Sequence, residues 1–124
     1  MEKPFNFHSI ILKLENSDLI SKIEKTHIDE ISQRGFYKIK CRLIPSKYNL
    51  EIKFIDTGEE FIYSYQLYST TSIVRWDNEP HFPDIETFPH HFHDTGGNVL
   101  ESSLMGDPEI DLYTVLSKTQ EFLT

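Results

Sequence analysis

Across residues 36–67 the chain alternates apolar and polar positions with a period of two. Tyr37, Ile39, Cys41 and Leu43 interleave with Lys38, Lys40 and Arg42. After Pro45-Ser46-Lys47, the residues Tyr48, Leu50, Ile52 and Phe54 take one side. After Asp56-Thr57-Gly58, Phe61, Tyr63, Tyr65 and Leu67 do the same. Successive side chains of a strand point to opposite faces, so this pattern predicts three half-buried strands. The turns between them are only a few residues long, which calls for antiparallel hairpins in a meander. Residues 69–72 read as a further turn and residues 73–76 as a fourth strand.

The ends carry a different signal. Residues 5–15 space their apolar side chains as a short helix does. In residues 18–32, Ile20, Ile23 and Ile31 keep rough helical spacing, and a strand fits nearly as well. Near the C-terminus Asp107 suits an N-cap and Pro108 a first helical position, with Glu109 and Asp111 complementing the helix dipole. Leu112, Val115, Leu116 and Thr119 then share one face, and Phe122 and Leu123 close the helix. The expected fold is α+β: one domain over residues 1–124, with an antiparallel meander of four or five strands and the two terminal helices packed on one face.

Composition agrees with a folded domain. The chain has 124 residues, 38% of them hydrophobic, with nine Phe, six Tyr and one Trp. No apolar run reaches the ~20 residues of a membrane-spanning helix, and residues 1–20 lack a signal-peptide layout. The single cysteine, Cys41, leaves no internal disulfide framework and reads as a small apolar strand residue. The expected location is the cytoplasm, with no membrane partner.

The net charge of −8 disfavours non-specific binding to nucleic acid when taken globally. Its distribution is uneven. Residues 1–55 carry ten basic and seven acidic side chains, residues 56–124 two and thirteen. Lys38, Lys40 and Arg42 lie in the basic stretch and are candidate binding residues for an RNA backbone; the plainer reading is a solvated strand face.

Candidate chemistry concentrates in the segment RWDNEPHFPDIETFPHHFH, residues 75–93. His81, His90, His91 and His93 fall within it, on a stretch that Pro80, Pro83 and Pro89 keep from forming a regular helix. Imidazole can both give and take a proton near neutral pH. Cleavage of an RNA phosphodiester needs a base for the 2′-hydroxyl, an acid for the leaving oxygen and a cation for the phosphoryl charge. His81, His91 and His93 are the acid–base candidates, Arg75 the cation, and Asp77 the group that orients an imidazole. On an extended stretch His91 and His93 would share a side and His90 would face the other. That pair with Asp77 or His81 could instead hold a divalent zinc, manganese or nickel ion, although no known zinc spacing is matched. No cofactor is required in the first reading. Asn78 follows Asp77 as turn chemistry and a loop cap. Trp76 reads as a core plug, and Gly96-Gly97 as a flexible turn.

Arg75-Trp76-Asp77-Asn78, Pro80-His81, then Thr87-Phe88-Pro89-His90-His91 and His93, together resemble the signature of the TumE-like family. Tyr63-Ser64-Tyr65 matches the strand before it. The likeness is close over residues 60–94 and in outline elsewhere. These are small prokaryotic toxins of toxin–antitoxin pairs, usually encoded beside a helix-turn-helix antitoxin. The resemblance implies such an antitoxin as partner and Arg75, Asp77, Asn78, His81, His90, His91 and His93 as the positions of interest; with the histidine chemistry, the expected target is RNA or the translation machinery. This chain departs from the pattern at Phe82, where a second histidine is usual, at Gln66 after the Tyr-Ser-Tyr triplet, and at Glu79 in place of a small residue. Three functions are therefore weighed: a histidine-based ribonuclease, a metal-dependent hydrolase or nuclease, and a non-enzymatic binding module. An exposed strand edge would allow a homodimer.

Overall fold

Among residues 3–123, which this computed structural model describes, two helices and seven strands follow one another. They are α1 (Phe7–Glu15), β1 (Ile20–Ile31), β2 (Arg34–Leu43), β3 (Asn49–Asp56), β4 (Phe61–Tyr68), β5 (Ser72–Asp77), β6 (His91–His93), β7 (Val99–Glu101) and α2 (Pro108–Leu123). The strands form a single sheet in sequence order, each antiparallel to the next.

The α+β class and the meander are as expected; the strand count of four or five is corrected to seven. β1 hides its period because its register with β2 shifts twice, between Ile20 and Lys22 and between Ile23 and Lys25. It is also an edge strand, and all its residues from Glu24 onward are exposed, so neither face needs to be apolar. β6 and β7 have three residues each, too few for a period to show. The proline-rich segment thus contains β6, which begins two residues after Pro89.

The register sorts the side chains into two faces. Ile39, Ile52, Tyr65, Trp76 and Phe92 line up across β2 to β6. Cys41, Leu50, Leu67 and Val74 form a neighbouring row, and Tyr37, Phe54 and Tyr63 another. Apart from the half-buried Phe92, these residues are buried, and they join Ile10 and Leu14 of α1 with Leu112 and Val115 of α2 in one core. Cys41 is sealed within it, and burial pushes its thiol up to about 12, which removes it as a nucleophile.

Both helices are tied down at their starts. The Asn6 side chain caps α1 by accepting the Ser9 N–H at 3.0 Å, and Asp107 Oδ1 accepts the Glu109 N–H at 3.0 Å. Glu109 then joins the helices, accepting from the Ser9 hydroxyl at 2.7 Å and pairing with Lys13 at 2.7 Å. No described helix is long and apolar enough to cross a membrane.

Among the described residues, no helix lies on the opposite face of the sheet. Its rows are Lys38, Lys53, Ser64, Asp77, His91 and Glu101, and beside them Lys40, Glu51, Gln66, Arg75, His93 and Val99. The basic residues of β2 and the histidines of β6 thus share one surface.

Candidate functional site

Two adjoining strands build the site. On β5, Arg75 and Asp77 are two residues apart and therefore share a face; on β6, His91 and His93 do the same. Register sets Asp77 opposite His91 and Arg75 opposite His93. The loop between these strands folds back so that the Phe82 ring lies edge-on to His91, with centroids 4.9 Å apart, and 6.0 Å from His93. This aromatic cover explains how His91 and Asp77 are buried on a face that no helix covers.

Asp77 is the hub. Its Oδ1 lies 2.8 Å from His91 Nε2 and accepts the Glu79 N–H at 3.1 Å. Its Oδ2 accepts from Arg75 Nε at 2.9 Å and lies 3.3 Å from His93 Nε2. The second nitrogen of His91, Nδ1, faces the Pro89 carbonyl at 3.0 Å. A carbonyl oxygen only accepts, so Nδ1 carries a proton. On its other side His91 presents Nε2 to a carboxylate oxygen, which also only accepts. A proton or a cation must therefore bridge Nε2 and Asp77. The carbonyl fixes the ring, as an outer hydrogen bond fixes the imidazole of a metal ligand.

His93 differs in kind. Its side chain is 25% exposed, and Nε2 meets Arg75 Nη2 at 3.2 Å. Arginine only donates, while the Asp77 carboxylate 3.3 Å from the same Nε2 only accepts, so Arg75 and Asp77 compete for this nitrogen. Burial holds the His93 pKa below the usual histidine value, helped by the neighbouring Arg75 and by His91 and opposed by Asp77. The lowered pKa favours the uncharged imidazole, which is in reach of solvent and has Arg75 against its Nε2.

Asp77, His91 and His93 offer three ligand atoms within 4.8 Å of one another, the two-histidine, one-carboxylate set that binds divalent metals. Arg75 contacts both Asp77 Oδ2 and His93 Nε2, so its guanidinium occupies the cation position between these acceptors. With 42% of its side chain exposed, it could leave that position.

The remaining candidates fall elsewhere. His81 stands outside the cluster, 66% exposed, with Nε2 3.6 Å from Glu79. His90, the residue before β6, points away, and its Nδ1 is hydrogen-bonded with the Tyr63 hydroxyl at 2.7 Å. Burial lowers the His90 pKa, and burial together with Asp111 raises that of Tyr63. Asn78 acts on backbone: its Oδ1 accepts the Tyr63 N–H and its Nδ2 donates to the Phe61 carbonyl, both at 2.8 Å. It extends the β4–β5 pairing by one side chain. Lys38, Lys40 and Arg42 lie on the uncovered face, Arg42 held by Glu24 and the Ser46 carbonyl.

Sequence reasoning passed over two partners. Tyr63 reads as a core residue but also holds His90, and the Pro89 carbonyl that orients His91 leaves no mark in residue type. His27, outside the histidine-rich segment, lies directly opposite Lys38 on the uncovered face. Its position two residues from Lys25 was the available signal.

A family model described as Toxin TumE matches residues 10–123. No curated protein and no solved structure matches the chain.

Proposed function

Because the chain belongs to the TumE toxin family, we propose that it is the toxin of a toxin–antitoxin pair and that it cleaves RNA at the Asp77–His91–His93–Arg75 cluster. The observation that carries this reading is the neutral, partly exposed His93 sharing Nε2 with Arg75. A phosphate arriving at the uncovered face draws Arg75 to itself, since guanidinium and phosphate form paired charge-assisted hydrogen bonds. That movement frees the His93 lone pair. His93 then takes the proton of the 2′-hydroxyl as its oxygen bonds to phosphorus. The bond to the 5′-oxygen breaks, and the departing oxygen takes up a proton, from His93 or through water. Arg75 offsets the charge on the phosphoryl oxygens. His91, held between Asp77 and Pro89, keeps the carboxylate in place and does not meet the substrate.

The expected partner is a helix-turn-helix antitoxin, and the expected location is the cytoplasm. The test is induced expression in bacteria of wild type beside His93→Ala and His81→Ala at matched soluble levels, followed by incubation of purified protein with RNA. Growth arrest and RNA cleavage by wild type and His81→Ala, both lost in His93→Ala, support the reading. Arrest that survives His93→Ala would overturn it.

A metal-dependent hydrolase is the second reading, favoured by one observation. The Asp77, His91 and His93 donor atoms converge, and His91 has the tautomer that leaves Nε2 as the ligand. Activity abolished by chelator and restored by one divalent ion would favour it over the first.

A further inference from the structure

On the uncovered face, β1, β2 and β3 set cations directly opposite one another. Lys25 pairs with Lys40 and Lys38 with Lys53. Like charges in directly opposed positions destabilise a sheet, so this face has a repulsion that an anion would relieve. Glu51 meets Lys38 at 3.7 Å. Among the described residues, Lys25, Lys40 and Lys53 have no carboxylate within ion-pair range.

A concavity of about 450 Å³ on this face is lined by Lys25, His27, Phe36, Lys38, Lys40, Glu51 and Tyr68. Three of these seven carry rings, and His27 lies edge-on to Phe36 with centroids 5.7 Å apart. Lysines beside accessible rings in one groove are what an unpaired nucleic acid strand requires: cations for the backbone and flat surfaces for the bases. A duplex hides its base faces and would use only the cations.

The concavity and the histidine cluster lie on the same face of the sheet. The row through Lys38 runs by Lys53 and Ser64 to Asp77 and His91, and the row through Lys40 by Glu51 and Gln66 to Arg75 and His93. From β2 to β5 is three strand spacings, ~14 Å. Between Lys53 and Arg75 the face carries the uncharged Ser64 and Gln66, so no acidic side chain of β4 interrupts the path.

We infer that the β1–β3 concavity is the binding track for single-stranded RNA, which crosses the sheet at right angles to the strands and delivers its phosphate to Arg75 and His93. Bases stack on Phe36, His27 and Tyr68 while Lys25, Lys38, Lys40 and Lys53 hold the backbone. This inference rests on the RNA reading above and adds the substrate class and its path.

The experiment measures fluorescence anisotropy of a labelled mixed-sequence 12-nucleotide RNA, single-stranded or annealed to its complement, with the His93→Ala protein so that cleavage does not intervene. The single strand is expected to bind at least tenfold more tightly than the duplex. Adding Lys38→Ala, Lys40→Ala and Lys53→Ala, all on the uncovered face, should weaken binding at least tenfold. It should also reduce the slope of log affinity against log salt by about 2, at ~0.7 per phosphate contact. Phe36→Leu with Tyr68→Leu should weaken single-strand binding and leave the salt slope unchanged. Equal or tighter duplex binding, or lysine variants that bind like their parent, would overturn the track. So would a polyglutamate peptide that displaces RNA at equal concentration, which would make the face a site for an acidic protein segment. If the track behaves as stated while wild type neither cleaves RNA nor arrests growth, the catalytic reading fails alone. If wild type cleaves RNA and the same three lysine changes made with His93 intact leave cleavage equal, the track fails alone.

Discussion

Asp77 Oδ1 and His91 Nε2 stand 2.8 Å apart, with only 6% and 3% of their side chains exposed. They belong to adjacent strands and are directly opposed in register. This buried contact joins the fold to the site, because the same carboxylate also receives Arg75 and approaches His93.

Replacing Asp77 with Asn keeps the shape and removes the charge that three neighbours use. The expected cost is about 3 kcal/mol, in the range for breaking one side of a buried pair. Urea denaturation checks it: the midpoint should fall with the slope unchanged. Toxicity should be lost even at temperatures where the variant stays folded.

The lowered pKa values of His90 and His93 set a pH dependence. Burial disfavours their charged forms in the native state, so the unfolded chain binds more protons once pH falls below its histidine pKa of ~6.5. Stability should therefore be full above that value and decline as pH falls through it, the loss ending below the lowered native pKa values. For His93 the facing groups are Arg75, Asp77 and His91; for His90 they are Asp111, His91 and Tyr63. Urea midpoints measured from pH 7.5 to 5 should drop in wild type and drop less in the His90→Asn/His93→Gln double variant.

Arg75 occupies the cation position of the cluster, so removing it should favour a metal. Arg75→Ala is expected to bind Co²⁺ about tenfold more tightly than wild type, read from the visible absorption of the ion. Adding His91→Ala to that variant should abolish the signal. In wild type, chelator should leave RNA cleavage unchanged; cleavage that stops with chelator and returns with a divalent ion would replace the acid–base mechanism with the metal one.

Asn78 should prove a structural residue. Its two hydrogen bonds complete the β4–β5 edge, and Asn78→Ala leaves a backbone donor and acceptor without partners. The expected loss is about 2 kcal/mol, at 1–3 for an unsatisfied buried group. Asn78→Asp, which keeps the acceptor, should recover part of it. Thermal unfolding distinguishes the two variants, and RNA cleavage per folded molecule should be unchanged in both.

Much of the fold is legible in the residues. The alternation of β2, β3 and β4 follows from one face being core and the other solvent. The Asp107-Pro108 start of α2 follows from unpaired N–H groups needing an acceptor. β1 is not legible because its two register shifts break the period and its edge position removes the need for one. β6 and β7, of three residues each, take their extended form from pairing, β6 with β5 and β7 with β6.

The site divides along the same line. Arg75 with Asp77, and His91 with His93, are separated by two residues within strands, so the chain itself places each pair on one face and sends His90 to the other. Sequence alone could not bring the pairs together, since that depends on the register between β5 and β6, which the fold of the intervening loop sets. Nor could it tell which face stays uncovered. That depends on where α1 and α2 bury their apolar sides, and their packing on Ile39, Ile52 and Tyr65 leaves the lysines of β2 and the histidines of β6 on one open surface. Local periodicity decides which residues share a face; only tertiary packing decides which faces meet.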